Sequence, residues 1–471
     1  MMRFEMPWPR LSEPVGPRSV LFIGNSYYNN WYLAKALRRH GWRAETVTYT
    51  GEAAGMYLHG YDHKIKNETW RTSNSYLKRI TPAVVELREM YDDLIRQLGG
   101  HDQDPHDRPP LPRESVIRLK SRTSEMLRFA AEGHGHLREL RPLFWALDQV
   151  DVLHFTGVQN LRFFYFFNMS QFGHLPIQWD IDILRLLGKK IVYSNTLCLD
   201  GVSQTALATL GPHPVCSFCR HRDESTVCSD EGNLAWGRMR NRLVDYQILL
   251  GGNRADYNAD ARVHEVPEFY CLDKNFWRPE LTIPPEHRIP ARNKTVKIYH
   301  AVGNFEARSV GEEARNIKCT HIYRPLIERL KREGYDVELI FCSDVPNTEV
   351  RFYQAQADIV VDMLTFGFFG ANVREAMMLG KPAICYLRPE WIANMRREIP
   401  EYADELPIVS ATPDTIHAVL TDLIKHPRKR AEIGRRSREF AVKWHSAEAA
   451  GRRFDKIYSE LCAEPPAHRA A

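Results

Sequence analysis

Short apolar runs alternate with helix-prone segments along most of this chain, and that alternation limits the fold more than any other feature. SVLFIG at 19–24 is followed by the polar turn NSYYNN and then by YLAKALRRHGWRAETVTY, which reads as helix, turn and strand. The same rhythm returns with VDVLHFT at 150–156, ILRLLGKKIVY at 183–193 and VKIYHAVG at 296–303. Strand-helix alternation predicts an α/β architecture of parallel sheets, with ligands at the carboxyl ends of the strands.

A length of 471 residues at 44% apolar content is more than one core usually serves, so two or three domains are expected. The segment 279–293 (PELTIPPEHRIPARN) is proline-rich and precedes a new β run, which places the main boundary there. The expected division is a first Rossmann-like domain at 1–278, a linker at 279–294, a second Rossmann-like domain at 295–440, and a closing helix with a disordered tail at 441–471. The first domain would hold a charged, helix-prone insert at about 56–141, broken by a hydrophilic loop at 99–113, and a cysteine-bearing insert at 198–228. In the second domain, helices are expected at 323–333, 349–357 and 413–424, with strands at 335–342, 358–363 and 383–386.

The net charge of +5 comes from 64 basic against 59 acidic residues, a mixed surface that gives no argument for nucleic acid and mildly favours anionic ligands. The first 18 residues are rich in proline and charge, without the apolar stretch of a secretory leader. The most apolar run, LRFFYFFN at 161–168, falls short of the roughly 20 residues a spanning helix needs and reads as core, with acceptor or membrane contact as the other reading. Nine cysteines fit reduced thiols in a cytoplasm better than a disulfide framework. The basic stretch 425–438 reads as a solvated helix face or a dock for an anionic leaflet.

Chemistry concentrates at 365–386, TFGFFGANVREAMMLGKPAICY, where a glycine-bearing turn runs into a short helix carrying Glu375. Unpaired amides and the helix dipole at such a start suit a diphosphate, and the carboxylate can accept from vicinal hydroxyls, so the stretch reads as a nucleotide or nucleotide-sugar site. The competing reading has Asn372 and Glu375 closing a capping box. Separately, Cys198, Cys216, Cys219 and Cys228 hold a Cys-x-x-Cys pair in an insert with few apolar residues to order it. Four thiolates suit tetrahedral zinc in a structural role; four ordinary thiols, or an iron–sulfur cluster, are the alternatives.

These segments together resemble a retaining glycosyltransferase of family 4 with the GT-B fold: two facing Rossmann-like domains, a cleft between them, and a last helix crossing back to the first domain. GFFGANVREAMMLGKP is similar to the family's glycine-rich signature, VPEFYCLDKNFWRPE to its interdomain linker, RNIKCTHIYRPLIERL to its Lys-Gly-Thr segment, and 423–461 to its closing helices. The resemblance implies a nucleoside diphosphate sugar donor, a glycan or lipid-linked acceptor, retention at the anomeric carbon, and no cofactor required for catalysis. It implies donor binding by Gly24, Gly303, Lys318, the helix-start residues Gly370, Ala371, Asn372 and Val373, and Glu375 on the ribose. Lys318 would neutralise the diphosphate with Arg308 or Arg315 as second cation, because the family's arginine position is Asn304; His154 matches the first of two family histidines, the second falling on Thr156. The family's first signature glutamate is Gly367 here, which leaves Asp362 as a substitute contact for the sugar, and the family glycine after the lysine is Cys319. Lys318 as a solvated lysine and His154 as a hydrogen-bonded core histidine are the plainer readings. Two other functions remain open: a nucleotide-sugar epimerase of the same architecture, and a non-catalytic nucleotide-sugar binder.

Overall fold

The computed structural model describes residues 18–24, 27–49, 58–65, 74–134, 140–157, 159–163, 179–195, 198–209, 211, 215–219, 221–249, 254–290, 294–311 and 315–463. Two wholly parallel sheets organise them. The first contains β1 (Ser19–Ile23), β2 (Arg43–Tyr49), β3 (His63–Ile65), β4 (Val152–Thr156), β5 (Lys190–Ser194), β6 (Tyr246–Leu249) and β7 (Val263–Glu265), in the order β3-β2-β1-β4-β5-β6-β7. The second contains β8 (Val296–Val302), β9 (Val337–Ser343), β10 (Ile359–Val361) and β11 (Ala383–Ile384), in the order β11-β10-β8-β9. All five residues of β1 and of β4 are buried, because crossover helices cover both faces of such a sheet, and this is why the runs are continuously apolar instead of alternating. In each sheet the order reverses beside the first strand, between β1 and β4 and between β8 and β10, the place where open parallel sheets form a crevice.

The facing pair of α/β units expected from the sequence is therefore what the chain forms. The stretch 183–193 divides into the end of the helix Trp179–Leu186 and the strand β5, with Gly188 in a left-handed conformation (φ 78°) stopping the helix. The insert after β3 is a pair of packed helices, Asn74–Gln97 and Arg113–His134, which bury Leu87, Leu94, Leu119 and Met126. The division expected at 440 falls inside the long helix Pro427–His445; the chain turns at Ser446 and continues as the helix Ala447–Ala463. At that turn Leu272 pairs with both sides: its amide donates to His445 O at 2.8 Å and its carbonyl accepts from Ala447 N at 2.8 Å. The last helix then lies on the helix Asn29–Arg39 of the first unit, close enough that a Cβ on Gly451 would stand 3.0 Å from Ala36 Cβ. Trp42 Nε1 donates to Asp455 Oδ1 at 2.8 Å on the same face.

The tails at 1–17 and 464–471 and the aromatic residues 164–168 lie outside the described residues; Leu161 and Phe163, before them, are core. Among the described residues no helix is long and apolar enough to cross a membrane. Much of the basic stretch 425–438 is engaged within the protein: Lys429 pairs with Asp422, Arg435 with Glu432 and Glu439, and Arg438 donates to the carbonyls of Trp277 and Met378.

Candidate functional site

The helix Ala371–Met378 begins at the carboxyl end of β10 with Gly370 as its extended N-terminal residue and no side chain capping it. Its first hydrogen bond runs from Arg374 N to Gly370 O at 3.4 Å, so the amides of Ala371, Asn372 and Val373 precede the helical ladder. Gly370, Ala371 and Asn372 are partly exposed, which leaves this helix start open to a ligand.

Lys318 is brought to the same place from the neighbouring crossover. Asn316 Oδ1 accepts from Lys318 N at 3.0 Å, and Cys319 takes a left-handed conformation (φ 64°, ψ 31°) as the helix Thr320–Arg332 begins. That conformation is one that glycine adopts most readily. The Lys318 ammonium donates to Asp362 Oδ1 at 2.6 Å, and the other oxygen of this fully buried carboxylate has no hydrogen-bond partner. A Cβ on Gly370 would stand 3.3 Å from Lys318 Nζ and 3.6 Å from Asp362 Oδ2. Glycine therefore leaves the space in front of the ammonium clear. One of the three N–H donors of Lys318 is taken by Asp362.

Arg308 closes the one-turn helix Phe305–Arg308 that follows Gly303 and the left-handed Asn304, and is partly exposed with no ion pair among the described residues. Arg315 is exposed and pairs its backbone with Val310, closing the excursion from β8 that returns to Lys318. Gly24 ends β1 in the first unit with φ 108°, and a Cβ there would lie 2.0 Å from Thr156 O, so the β1 turn is passed closely by the end of β4. A side chain at Gly367 is likewise excluded: φ is 82°, and a Cβ would meet Arg388 Cβ at 2.8 Å. The missing glutamate at this position is thus built into the backbone, and Asp362, the substitute considered for it, is engaged by Lys318.

Glu375 does not close a capping box. It is 2% exposed, and its carboxylate accepts from Tyr28 Oη and Asn347 Nδ2 on Oε1, both at 2.9 Å, and from Gln354 Nε2 on Oε2 at 3.2 Å. Asn372, whose side chain was the proposed cap, instead accepts from Gln354 Nε2 at 2.7 Å. Asn347 Oδ1 meets His59 Nε2 at 2.7 Å, and His59 Nδ1 meets Tyr32 Oη at 2.5 Å. The directions are fixed by the carboxylate: Asn347 donates to it, so Asn347 Oδ1 accepts from His59 Nε2–H, and His59 Nδ1 accepts from Tyr32. Burial pushes the His59 imidazole down to about 4, in keeping with this neutral tautomer. Burial also raises Glu375, against the pull of its three donors. Tyr28, Tyr32 and His59 belong to the first unit and Asn347, Gln354 and Glu375 to the second, so the network joins the two. In this arrangement every donor to Glu375 comes from the protein, and the carboxylate meets no solvent where a ribose would sit. No local pattern in the sequence marks these partners, which come from three separate segments: Tyr28 with Tyr32, His59, and Asn347 with Gln354.

His154 is placed differently from the family-based expectation. It is fully buried in β4, with Nδ1 2.6 Å from Tyr458 Oη of the last helix and Nε2 2.6 Å from Ser194 Oγ of β5. Burial lowers its pKa to about 3, and neither ring nitrogen is free for a ligand. It is a core histidine that ties the returning helix to the first sheet.

A second buried carboxyl stands where the units meet. Glu265 ends β7, and its Oε1 has no hydrogen-bond partner. Burial pushes it up to about 8, Arg254 and Arg388 pulling the other way and Glu398 adding to the rise. Arg254 crosses between units to Glu398 at 2.7 Å.

The four cysteines of the insert are free thiols, drawn together from the end of β5, the turn Val215–Phe218 and the residue before the Ser229-capped helix Asp230–Leu243. Burial, with smaller contributions from the neighbouring Cys219, Cys228 and Cys216, pushes Cys198 up to about 12. The sulfurs are neighbours without being a finished site: among the described residues no three His, Cys, Asp or Glu side chains stand in coordinating positions.

No protein-family model matches the chain, and no curated protein matches it. Among solved structures it is similar to a sucrose-phosphate synthase from Thermosynechococcus elongatus (13% identity, 95% of this chain and 100% of that one, TM-score 0.48). It is also similar to Anabaena HepE in complex with UDP (11% identity, 94% and 100%, TM-score 0.48) and to TarM (7% identity, 95% and 100%, TM-score 0.49). At such identity and superposition the likeness bears on neither activity nor substrate.

Proposed function

We propose that this protein is a glycosyltransferase that takes a nucleoside diphosphate sugar as donor and holds its diphosphate between Lys318 and the start of the helix Ala371–Met378. The observation that carries the reading is the ammonium of Lys318, fixed by buried Asp362 and facing a glycine-cleared, uncapped helix start. The buried carboxylate fixes the ammonium in place, and the helix-start amides and dipole point to the same spot, so the place suits an anion. When the sugar leaves, negative charge develops on the diphosphate, and these fixed donors stabilise it, with Arg308 or Arg315 swinging in from the 303–318 excursion. Closure of the units excludes water and suppresses donor hydrolysis.

The ribose role of Glu375 requires Tyr28 to give way. Tyr28 comes from the opposite unit, so opening the two units withdraws one donor and leaves a carboxylate oriented by Asn347 and Gln354 for a vicinal hydroxyl. Retention, membership of family 4, a glycan or lipid-linked acceptor and a cytoplasmic setting rest on the sequence resemblance and on the free thiols. No catalytic metal enters this scheme.

The test is calorimetry with UDP, GDP and ADP on the wild type and on Lys318→Met/Asp362→Asn, a double variant that leaves no buried charge unpaired. A charge-assisted hydrogen bond contributes about 1.5–3 kcal/mol, so the double variant should bind its preferred nucleotide roughly ten- to a hundredfold more weakly. Equal affinity in both proteins, or no binding of any nucleoside diphosphate by the wild type, refutes the assignment.

A further inference from the structure

We propose that the insert 198–228 is a zinc-binding staple, with Cys198, Cys216, Cys219 and Cys228 as ligands, that holds this loop against the second unit. The inference does not rest on the transferase reading. It rests on what the protein aims at the sulfurs. Gln204 Nε2 lies 3.1 Å from Cys228 Sγ, Asn233 Nδ2 lies 3.5 Å from the same sulfur, and His221 N lies 3.4 Å from Cys219 Sγ. A neutral thiol is a weak acceptor, whereas a metal-bound thiolate draws N–H donors of this kind, and such outer partners orient the ligands. The amide bonded to Cys219 Sγ lies two residues after it, and the Cys216-x-x-Cys219 turn is closed by Cys219 N donating to Cys216 O at 3.3 Å.

At its start the insert buries Val202 and Leu207, whereas residues 222–227 are exposed and its end is held by polar contacts. Gln204 Nε2 also reaches the carbonyls of Cys228 and Arg222, both at 3.0 Å. This exposed end needs another source of order, and four thiolates around one tetrahedral ion supply it. Zinc fits this all-sulfur set and asks for no redox partner: four S–H bonds lose their protons to solvent, four Zn–S bonds form, and no electron moves. The sulfurs need only close inward from their present neighbourhood. The far side of the loop reaches the second unit at Gly211, where a Cβ would stand 2.9 Å from Tyr386 Oη, so ordering the insert fixes one wall between the units.

The experiment is metal analysis of the full-length protein purified without added metal or chelator, with zinc release by a mercurial thiol reagent followed by a chromogenic chelator. One zinc per chain is expected, released with the four insert thiols, absent from Cys216→Ser/Cys219→Ser, and retained in the control Cys462→Ser. Should the double variant fail to fold, stripping the wild type with a strong chelator replaces it; the expected outcome is a lower melting temperature that zinc restores and magnesium does not. Metal-free wild type with an unchanged melting temperature overturns the proposal, as do a Cys216–Cys219 disulfide in the purified protein and the visible absorbance of an iron–sulfur centre.

Discussion

Replacing Glu265 by Gln should make the protein more stable as pH rises, and the structure sets the size of the effect. The native carboxyl titrates at about 8 against 4.5 for the ordinary side chain, because it is buried without a hydrogen-bond partner on Oε1. The charged groups that face it are Arg254 from its own unit and Arg388 and Glu398 from the other, and the two arginines do not offset its burial. The native state thus holds a proton that the unfolded chain releases, so between pH 4.5 and about 8 the wild type loses stability as pH rises. At about 1.4 kcal/mol per unit, this amounts to an upper limit of roughly 5 kcal/mol at pH 8 and above, and about 3 kcal/mol at pH 7. Glutamine is neutral throughout and escapes the term. Urea unfolding of both proteins at pH 4.5, 7 and 8.5 reads the difference between them, so any constant offset from the amide cancels. The reasoning fails if that difference is flat across the range, or if the wild type gains on the variant as pH rises, which would mean that the ionised carboxylate pairs with Arg254 or Arg388.

Two further perturbations address the turn at β1 and the network between the units. Gly24→Ala places a Cβ 2.0 Å from Thr156 O, while Gly41→Ala, also at positive φ (83°), meets nothing within 4 Å. Thermal melts should show a loss of about 1 kcal/mol for Gly41→Ala and upwards of about 3 kcal/mol for Gly24→Ala, and equal losses would contradict the close passage of β4. Tyr28→Phe removes one of three donors from buried Glu375 and should destabilise the protein by about 1–3 kcal/mol in chemical unfolding without weakening nucleotide binding. A variant as stable as the wild type would mean that the contact between units contributes nothing.

The strands and crossover helices were readable because their signal is local: a run such as IVV in β10 declares itself by composition and by its neighbours in sequence. The grouping of Lys318 with the helix start at Gly370 is instead what the family resemblance implies, and a Cβ on Gly370 would stand 3.3 Å from Lys318 Nζ. What sequence could not supply is the distribution of partners between units. Glu375 looks like a ribose ligand or a cap when only its own helix is considered, yet its donors are Tyr28, Asn347 and Gln354. His154 is a site residue only by its match to the first of two family histidines, and the pair that claims it, Ser194 and Tyr458, lies 40 and 304 residues away. The expected division at 440 falls within one helix because nothing in 427–445 marks a break, which comes only at Ser446.

The returning helix Ala447–Ala463 has a consequence for how the chain is made. Trp42, Ala36 and His154 are contacted by residues of a helix that lies hundreds of positions later in the chain, so the first unit cannot finish its own interior until the helix Ala447–Ala463 has been made. Until then it waits with an apolar flank uncovered, the condition in which nascent chains associate wrongly. A chain cut at Ser446 would keep both sheets, Lys318 and the helix Ala371–Met378, yet its first unit would remain permanently at that unfinished stage.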